Sequence, residues 1–548
     1  MDALQRLVDS DAVARLIARD SSLFTDDIEH RLLVTQRLGW TDLAERAEGR
    51  IPLVESTAQQ FAEEGATDVV LLGMGGSSLA ALVFERVFGS REGMPRLHVL
   101  DTTAPTVIAP LMQRLERSTT FFLVSSKSGT TIEPLSLYAI FRAWMEEEME
   151  RPAAGRHFVV VTDPESRLEA LRGKDVMRLA ITAPANVGGR FSALTVFGLT
   201  PAAMIGVDLR ELVQHARAME VACGLPAGEN PAALLAAWIA DAHAAGRDKL
   251  TLVSSARYES FGLWVEQLVA ESTGKGGSGV VPVLELAPDT LPGYGDDRAI
   301  VIVRDGGDAD LVRTAGLLQE QGFPVFDIAL DSPVAVGAEF VRWEYAVALL
   351  GYLMGINPFD EPNVAEAKAA TSAVLAGTLD VPPAVTDIAG VWPAYAGGLT
   401  STDVPVDLIA AFRPVMAALQ PGDYLCALTY LPDSDEHLDP LRDALSTAAA
   451  RANVATCLEL GPRYLHSTGQ LHKGGANNGV FMVFTARDRV DVPIPDETFT
   501  LGALYRAQAE GDFVTLAAHN RRVMRVDLPD SRPETIARVA DALAAAFG

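Results

Sequence analysis

The chain has 548 residues, too many for one hydrophobic core, since single domains rarely exceed roughly 250 to 300. With 49% hydrophobic and 21% charged residues it has the make-up of an ordinary globular protein, which excludes a disordered or fibrous chain. A net charge of −27, from 45 basic and 72 acidic residues, repels polyanions at long range and argues against nucleic acid as a partner.

The N-terminal MDALQRLVDSDAVARLIARD carries acidic residues throughout and lacks the apolar run of a signal peptide. No later segment approaches the length of about 18 uncharged apolar residues that suggests a membrane span. A soluble, cytoplasmic protein is therefore expected, and Cys223, Cys426 and Cys457 read as buried thiols in a reducing compartment. Residues 1–60 have apolar positions three and four apart and read as a helical extension. From there β-rich runs alternate with helical ones: DVVLLG, LHVLD, TFFLVSS, HFVVVTD and VMRLAI, then KLTLVSS, VVPVLEL, AIVIVRD and FPVFDIAL. Such alternation marks doubly wound parallel sheets. The Pro- and Gly-rich stretch 376–405 reads as a boundary, and DYLCALTYLP, ATCLELG, GVFMVFT and VMRVDL beyond it as a smaller α/β unit. The expected fold is α/β: the extension, two doubly wound domains over 61–210 and 211–385, and a smaller α/β domain over 386–548.

Only six of the 45 basic residues are lysines, and Lys127, Lys275, Lys368 and Lys473 lie in or beside segments rich in Gly, Ser or His. In an acidic protein, positive charge gathered there points to an anion site. Gly73-Met-Gly-Gly-Ser-Ser78 follows a strand and opens a helix, a geometry that aims backbone N–H groups at an anion. A dinucleotide fingerprint is the rival reading, yet Ser78 occupies its third glycine position and Asp101 comes later than the usual spacing of about 20 residues. Ser125-Ser-Lys-Ser-Gly-Thr-Thr131 offers five hydroxyls and an ammonium at a strand-to-helix turn. Thr130 and Glu133 have capping-box spacing, but a cap leaves Lys127 and the serines unexplained. Gly188-Gly-Arg-Phe-Ser192 lets backbone and a fixed charge approach a ligand, and Glu271-Ser-Thr-Gly-Lys-Gly-Gly277 ends an amphipathic helix without being a Walker loop. Asn357-Pro-Phe-Asp-Glu-Pro-Asn-Val-Ala-Glu-Ala-Lys368 and His466-Ser-Thr-Gly-Gln-Leu-His-Lys-Gly-Gly475 complete the set; the histidine spacing is not that of a zinc helix, and neither metal nor cofactor is expected.

In this order the segments resemble the glucose-6-phosphate isomerase family with its two SIS (sugar isomerase) domains, over roughly residues 65–370. The last third is similar to the end of the isomerase half of fused transaldolase/glucose-6-phosphate isomerase proteins. The resemblance implies reversible aldose–ketose isomerisation of a small sugar phosphate, glucose 6-phosphate to fructose 6-phosphate, through a cis-enediol. Gly76, Ser77, Ser126, Lys127, Ser128 and Thr131 would hold the phosphate, Glu271 would carry the proton between carbons 1 and 2, and Arg190 would stabilise the enediolate. Lys368 aligns with the family's ring-opening lysine, although Glu361, Asn363 and Ala365 depart from its pattern, and a carboxylate at 361 would repel a phosphate it faced. The family's ring-opening histidine precedes that lysine; here none occurs between His243 and His437, so either His466, the best substitute, takes the role from the third domain or ring opening works otherwise. A homodimer is expected on the same grounds. Alternatives are an isomerase of mannose 6-phosphate or a sulfonated hexose, and a non-catalytic sugar-phosphate sensor.

Overall fold

The computed structural model describes residues 2–286, 294–401 and 403–548; Met1 of the extension and Thr402 of the boundary stretch lie outside them. The first sheet comprises β1 (Asp68–Leu72), β2 (Arg96–Leu100), β3 (Thr120–Ser125), β4 (Phe158–Thr162) and β5 (Leu179–Thr182), parallel in the order β2-β1-β3-β4-β5. The second comprises β6 (Lys249–Ser254), β7 (Val281–Leu286), β8 (Arg298–Asp305) and β9 (Val325–Leu330), parallel in the order β7-β6-β8-β9. Both are doubly wound, and in both the second strand lies outside the first. β1, β3, β4 and β6 are buried along their whole length, as apolar runs in a parallel sheet covered on both faces must be.

The third sheet holds β10 (Trp392–Gly397), β11 (Tyr424–Thr429), β12 (Ala455–Leu460), β13 (Gly479–Ala486) and β14 (Arg522–Leu528) in the order β10-β14-β13-β11-β12. Its first strand lies inside the stretch read as a boundary and pairs antiparallel with β14. A short run with proline at its second position gives no strand signal, and an edge strand tolerates that proline. The N-terminal helices between Ala3 and Glu63 pack into the same apolar core as the first two sheets. No helix among the described residues is long and apolar enough to cross a membrane.

Two helices join the three layers. Helix Glu259–Thr273 is buried almost all round, touching helix Leu79–Phe88 of the first layer, helix Val336–Met354 of the second and helix Gly469–Gly474 of the third. Glu266, Gln267 and Glu271 are thus polar groups inside the molecule. Helix Val364–Leu375 lies against helix Leu501–Ala518 of the third layer. Arg463 reinforces this docking: its Nε and Nη2 lie 2.7 and 2.9 Å from the carboxylate of Asp101, just past the end of β2. That aspartate, the acidic residue of the dinucleotide reading, is therefore already occupied.

Candidate active site

In an open α/β sheet, ligands gather at the carboxyl ends of the strands where the strand order reverses. In the first sheet that point lies between β1 and β3, and the Gly73–Ser78 and Ser125–Thr131 turns flank it. Ser125 Oγ donates to the Ser77 carbonyl at 2.8 Å, joining the turns. Thr131 is the N-cap of helix Ile132–Glu146 but makes no side-chain cap bond, and Glu133 turns inward, so the capping-box reading fails. Ser126 is buried, its Oγ accepting from the Gly129 amide at 3.2 Å, while Ser128 and Thr130 are exposed. Lys127 donates to Asp163; burial lowers the ammonium's pKa and raises that of the carboxyl.

The Gly188–Ser192 loop crosses this turn so closely that a Cβ on Gly76 would lie 2.1 Å from the Gly189 carbonyl oxygen. Arg190 is carried over Glu271, with 5% and 9% of each residue accessible and 3.2 Å between Nη1 and Oε1. Its Nε donates to Ser272 Oγ at 2.9 Å, and its Nη2 to the Pro358 and Asp360 carbonyls at 2.6 and 3.1 Å. The charge expected to meet an enediolate is thus a fixed one, held against Glu271 by its neighbours. Burial pushes the Glu271 carboxyl above the usual range, Arg190 opposes this and Glu361 adds to it. Lys275 donates to the Asn357 carbonyl at 2.8 Å and to Asp360 at 2.6 Å, and burial brings its ammonium down to about 8.

The third layer supplies His466. Its Nε2 lies 2.9 Å from Glu133 Oε1, which also accepts from Gln508 Nε2 at 2.7 Å. A carboxylate acceptor fixes the proton on Nε2 and leaves Nδ1 free to exchange one. Burial alone would raise the Glu133 carboxyl, but His466, with a contribution from Lys368, holds it below the usual range. The carbonyl of His466 accepts from Gln267 Nε2 at 2.7 Å, and the same amide lies 3.3 Å from Glu271 Oε2. Lys368, on helix Val364–Leu375, lines a cavity of about 380 Å³ with Thr130, Thr131, Glu133, His466 and Gln508.

The residues assigned by the resemblance thus fall around one junction, whereas Lys473, also singled out in the sequence, is buried and ion-paired with Asp512 at 2.6 Å. Glu361 does not face the Ser/Thr turn as a bare charge: its carboxylate lies 3.2 Å from Arg190 and 3.8 Å from Arg37. Asn363, another departure from the family pattern, pairs with Gln470, amide to Oε1 at 2.9 Å. The sequence reading missed Gln267, legible as one helical turn before Glu271, and Glu133, set aside as a cap. It also missed Gln508, whose partner is 375 residues away. Among the described residues one buried group of metal-ligating types, Cys426, Glu459 and His472, lies close together, with His472 already hydrogen-bonded to Glu459 and Tyr424.

Residues 54–281 match the sequence model of phosphoglucose isomerase. A glucose-6-phosphate isomerase of Thermus thermophilus is 32% identical over 383 residues, which cover 62% of this chain and 90% of that protein. The chain belongs to the phosphoglucose isomerase family. Another relative, the glucose-6-phosphate isomerase of Rubrobacter xylanophilus, is 29% identical over 58% of this chain and 84% of its own. Among solved structures, a hypothetical protein of Thermus thermophilus has a TM-score of 0.59 at 28% identity, covering 68% of this chain and 97% of that one. A glucose-6-phosphate isomerase of Chlamydia trachomatis has a TM-score of 0.51 at 19% identity, a likeness of fold, covering 66% of this chain and 77% of that one. The segment matching the family model begins after Arg37, and the third sheet lies beyond its end.

Proposed function

We propose that the protein interconverts glucose 6-phosphate and fructose 6-phosphate. Glu271 takes the proton from carbon 2 as the carbon-1 carbonyl oxygen gains one, giving the cis-enediol, and returns it to carbon 1 as oxygen 2 becomes the carbonyl. The observation that carries the reading is the Glu271 carboxylate, buried yet aimed by Arg190 and Gln267, at a junction bordered by the Ser/Thr turn. Removal from water makes a carboxylate a stronger base, and a fixed cation beside it favours charge developing on the substrate. Gly76, Ser77, Ser126, Lys127, Ser128 and Thr131 are assigned to the phosphate, with the uncapped start of helix Ile132–Glu146 favouring an anion. His466, backed by Glu133, and Lys368 are assigned to ring opening. A cytoplasmic location and a homodimer belong to the same reading and rest on the family resemblance.

The test is conversion of fructose 6-phosphate to glucose 6-phosphate, followed through a coupled NADP-dependent dehydrogenase. Glu271→Gln should lower kcat by about a hundred-fold to ten-thousand-fold, the range for a general base, while sugar-phosphate binding persists. Turnover retained in that variant removes Glu271 as the base. Tight ligand binding without turnover in the parent favours the sensor reading.

A further inference from the structure

An anion needs positive charge that is not already taken. Around the junction Lys127 is held by Asp163, Lys275 by Asp360, and Arg190 by Glu271 and Glu361. Lys368 lines the cavity with Thr130, Thr131 and His466. Near the Ser/Thr turn Arg37 is a weakly held cation, its Nη2 lying 3.8 Å from Glu361 Oε1 with 38% of its side chain accessible.

The backbone around Arg37 is, by contrast, fixed. Its amide donates to the Val34 carbonyl at 2.8 Å, just past the end of helix Ile28–Thr35. Leu38 forms a β-bridge with Val187, and the Gly39 amide donates to the Asn186 carbonyl at 2.8 Å, just ahead of the Gly188–Ser192 loop. Trp40 stacks on Phe191 with centroids 5.0 Å apart. Glu361 lies 3.2 Å from Arg190 as well, so through it the guanidinium borders the junction, and its charge acts to lower the pKa at both Lys127 and Asp163. A rigid stem carrying a loosely held head group is the arrangement of a ligand-binding cation, and a planar guanidinium suits a tetrahedral oxyanion.

We propose that Arg37, from the N-terminal extension, binds the anionic group of the substrate together with the Ser126–Thr131 turn, exchanging its long contact with Glu361 for the anion. The identity of that anion as a sugar phosphate rests on the isomerase reading, whereas the cation site does not. In this arrangement Glu361 competes with the anion for Arg37.

Titration of the full-length protein with inorganic phosphate, read by calorimetry, tests this apart from turnover. Arg37→Gln should weaken phosphate about ten-fold to a hundred-fold, as expected for loss of a hydrogen bond between charged groups, and Arg37→Lys should recover part of the loss. Glu361→Gln should shift phosphate affinity the other way, because the competing carboxylate is gone. If Arg37 serves only as a strut for Glu361, both variants move phosphate in the same direction and the proposal falls. It falls equally if Arg37→Gln keeps the parent's phosphate affinity. A parent without turnover that still shows these opposite shifts would sink the isomerase reading and leave the anion site standing.

Discussion

Gly76→Ala introduces a single methyl group where two loops of the junction cross. The new Cβ would lie 2.1 Å from the carbonyl oxygen of Gly189, 2.3 Å from its carbonyl carbon and 2.9 Å from the amide nitrogen of Arg190. Ordinary van der Waals contact begins near 3.4 Å, so the loops must separate by more than 1 Å, and every atom in the way is backbone. Overpacking of this kind costs about 1 to 3 kcal/mol, which a chain with cores this large survives. The functional loss is larger, because Arg190 rides on the displaced segment and its contacts with Glu271, Ser272 and the 358–360 carbonyls depend on that placement. A misplacement of about 1 Å in catalytic geometry costs roughly a hundred-fold. The assay pairs kcat/KM for fructose 6-phosphate with a urea melt of the same preparation. A variant within two-fold of the parent's kcat/KM would refute the reasoning that this crossing seats Arg190.

His466→Ala should slow turnover of the cyclic substrate by about a hundred-fold to ten-thousand-fold, the range for acid–base groups, with recovery on an open-chain analogue; an unchanged rate on ordinary substrate would remove His466 from ring opening. The Glu271 carboxyl is raised above its ordinary 4.5, so the active base form is lost as pH falls and the acid limb of kcat/KM should have its midpoint above that value. Lys275, at about 8, loses its charge above that pH and with it the hold on the turn that feeds carbonyls to Arg190. An alkaline limb near pH 8 should therefore move upward in Lys275→Arg, and a limb that stays put would assign it elsewhere. Arg463→Met strands the Asp101 carboxylate, whose side chain is 2% accessible, and should destabilise the chain by about 3 to 5 kcal/mol in urea. A loss below about 1 kcal/mol would mean that this pair does not hold the third layer in place.

Hydrophobic periodicity determined most of the fold. Runs such as TFFLVSS and KLTLVSS, short and rich in β-branched or aromatic residues, fit strands covered on both faces, and their alternation with amphipathic helices implies doubly wound sheets. β10 escaped because an edge strand is specified by its partner β14 and not by its own pattern. Local composition likewise determined the candidate anion-binding turn, since hydroxyls, a lysine and glycine between a strand and a helix are chemistry readable in one short segment. What the tertiary structure alone decided is which charges meet. Glu133 is indistinguishable in sequence from a helix cap, and only the arrival of His466 and Gln508, 333 and 375 residues away, makes it their acceptor. Arg37 is likewise an unremarkable charge in one dimension and Glu361 only a departure from the family pattern; they become partners around Arg190 because a buried charge must take its compensation from whatever elements the fold packs beside it.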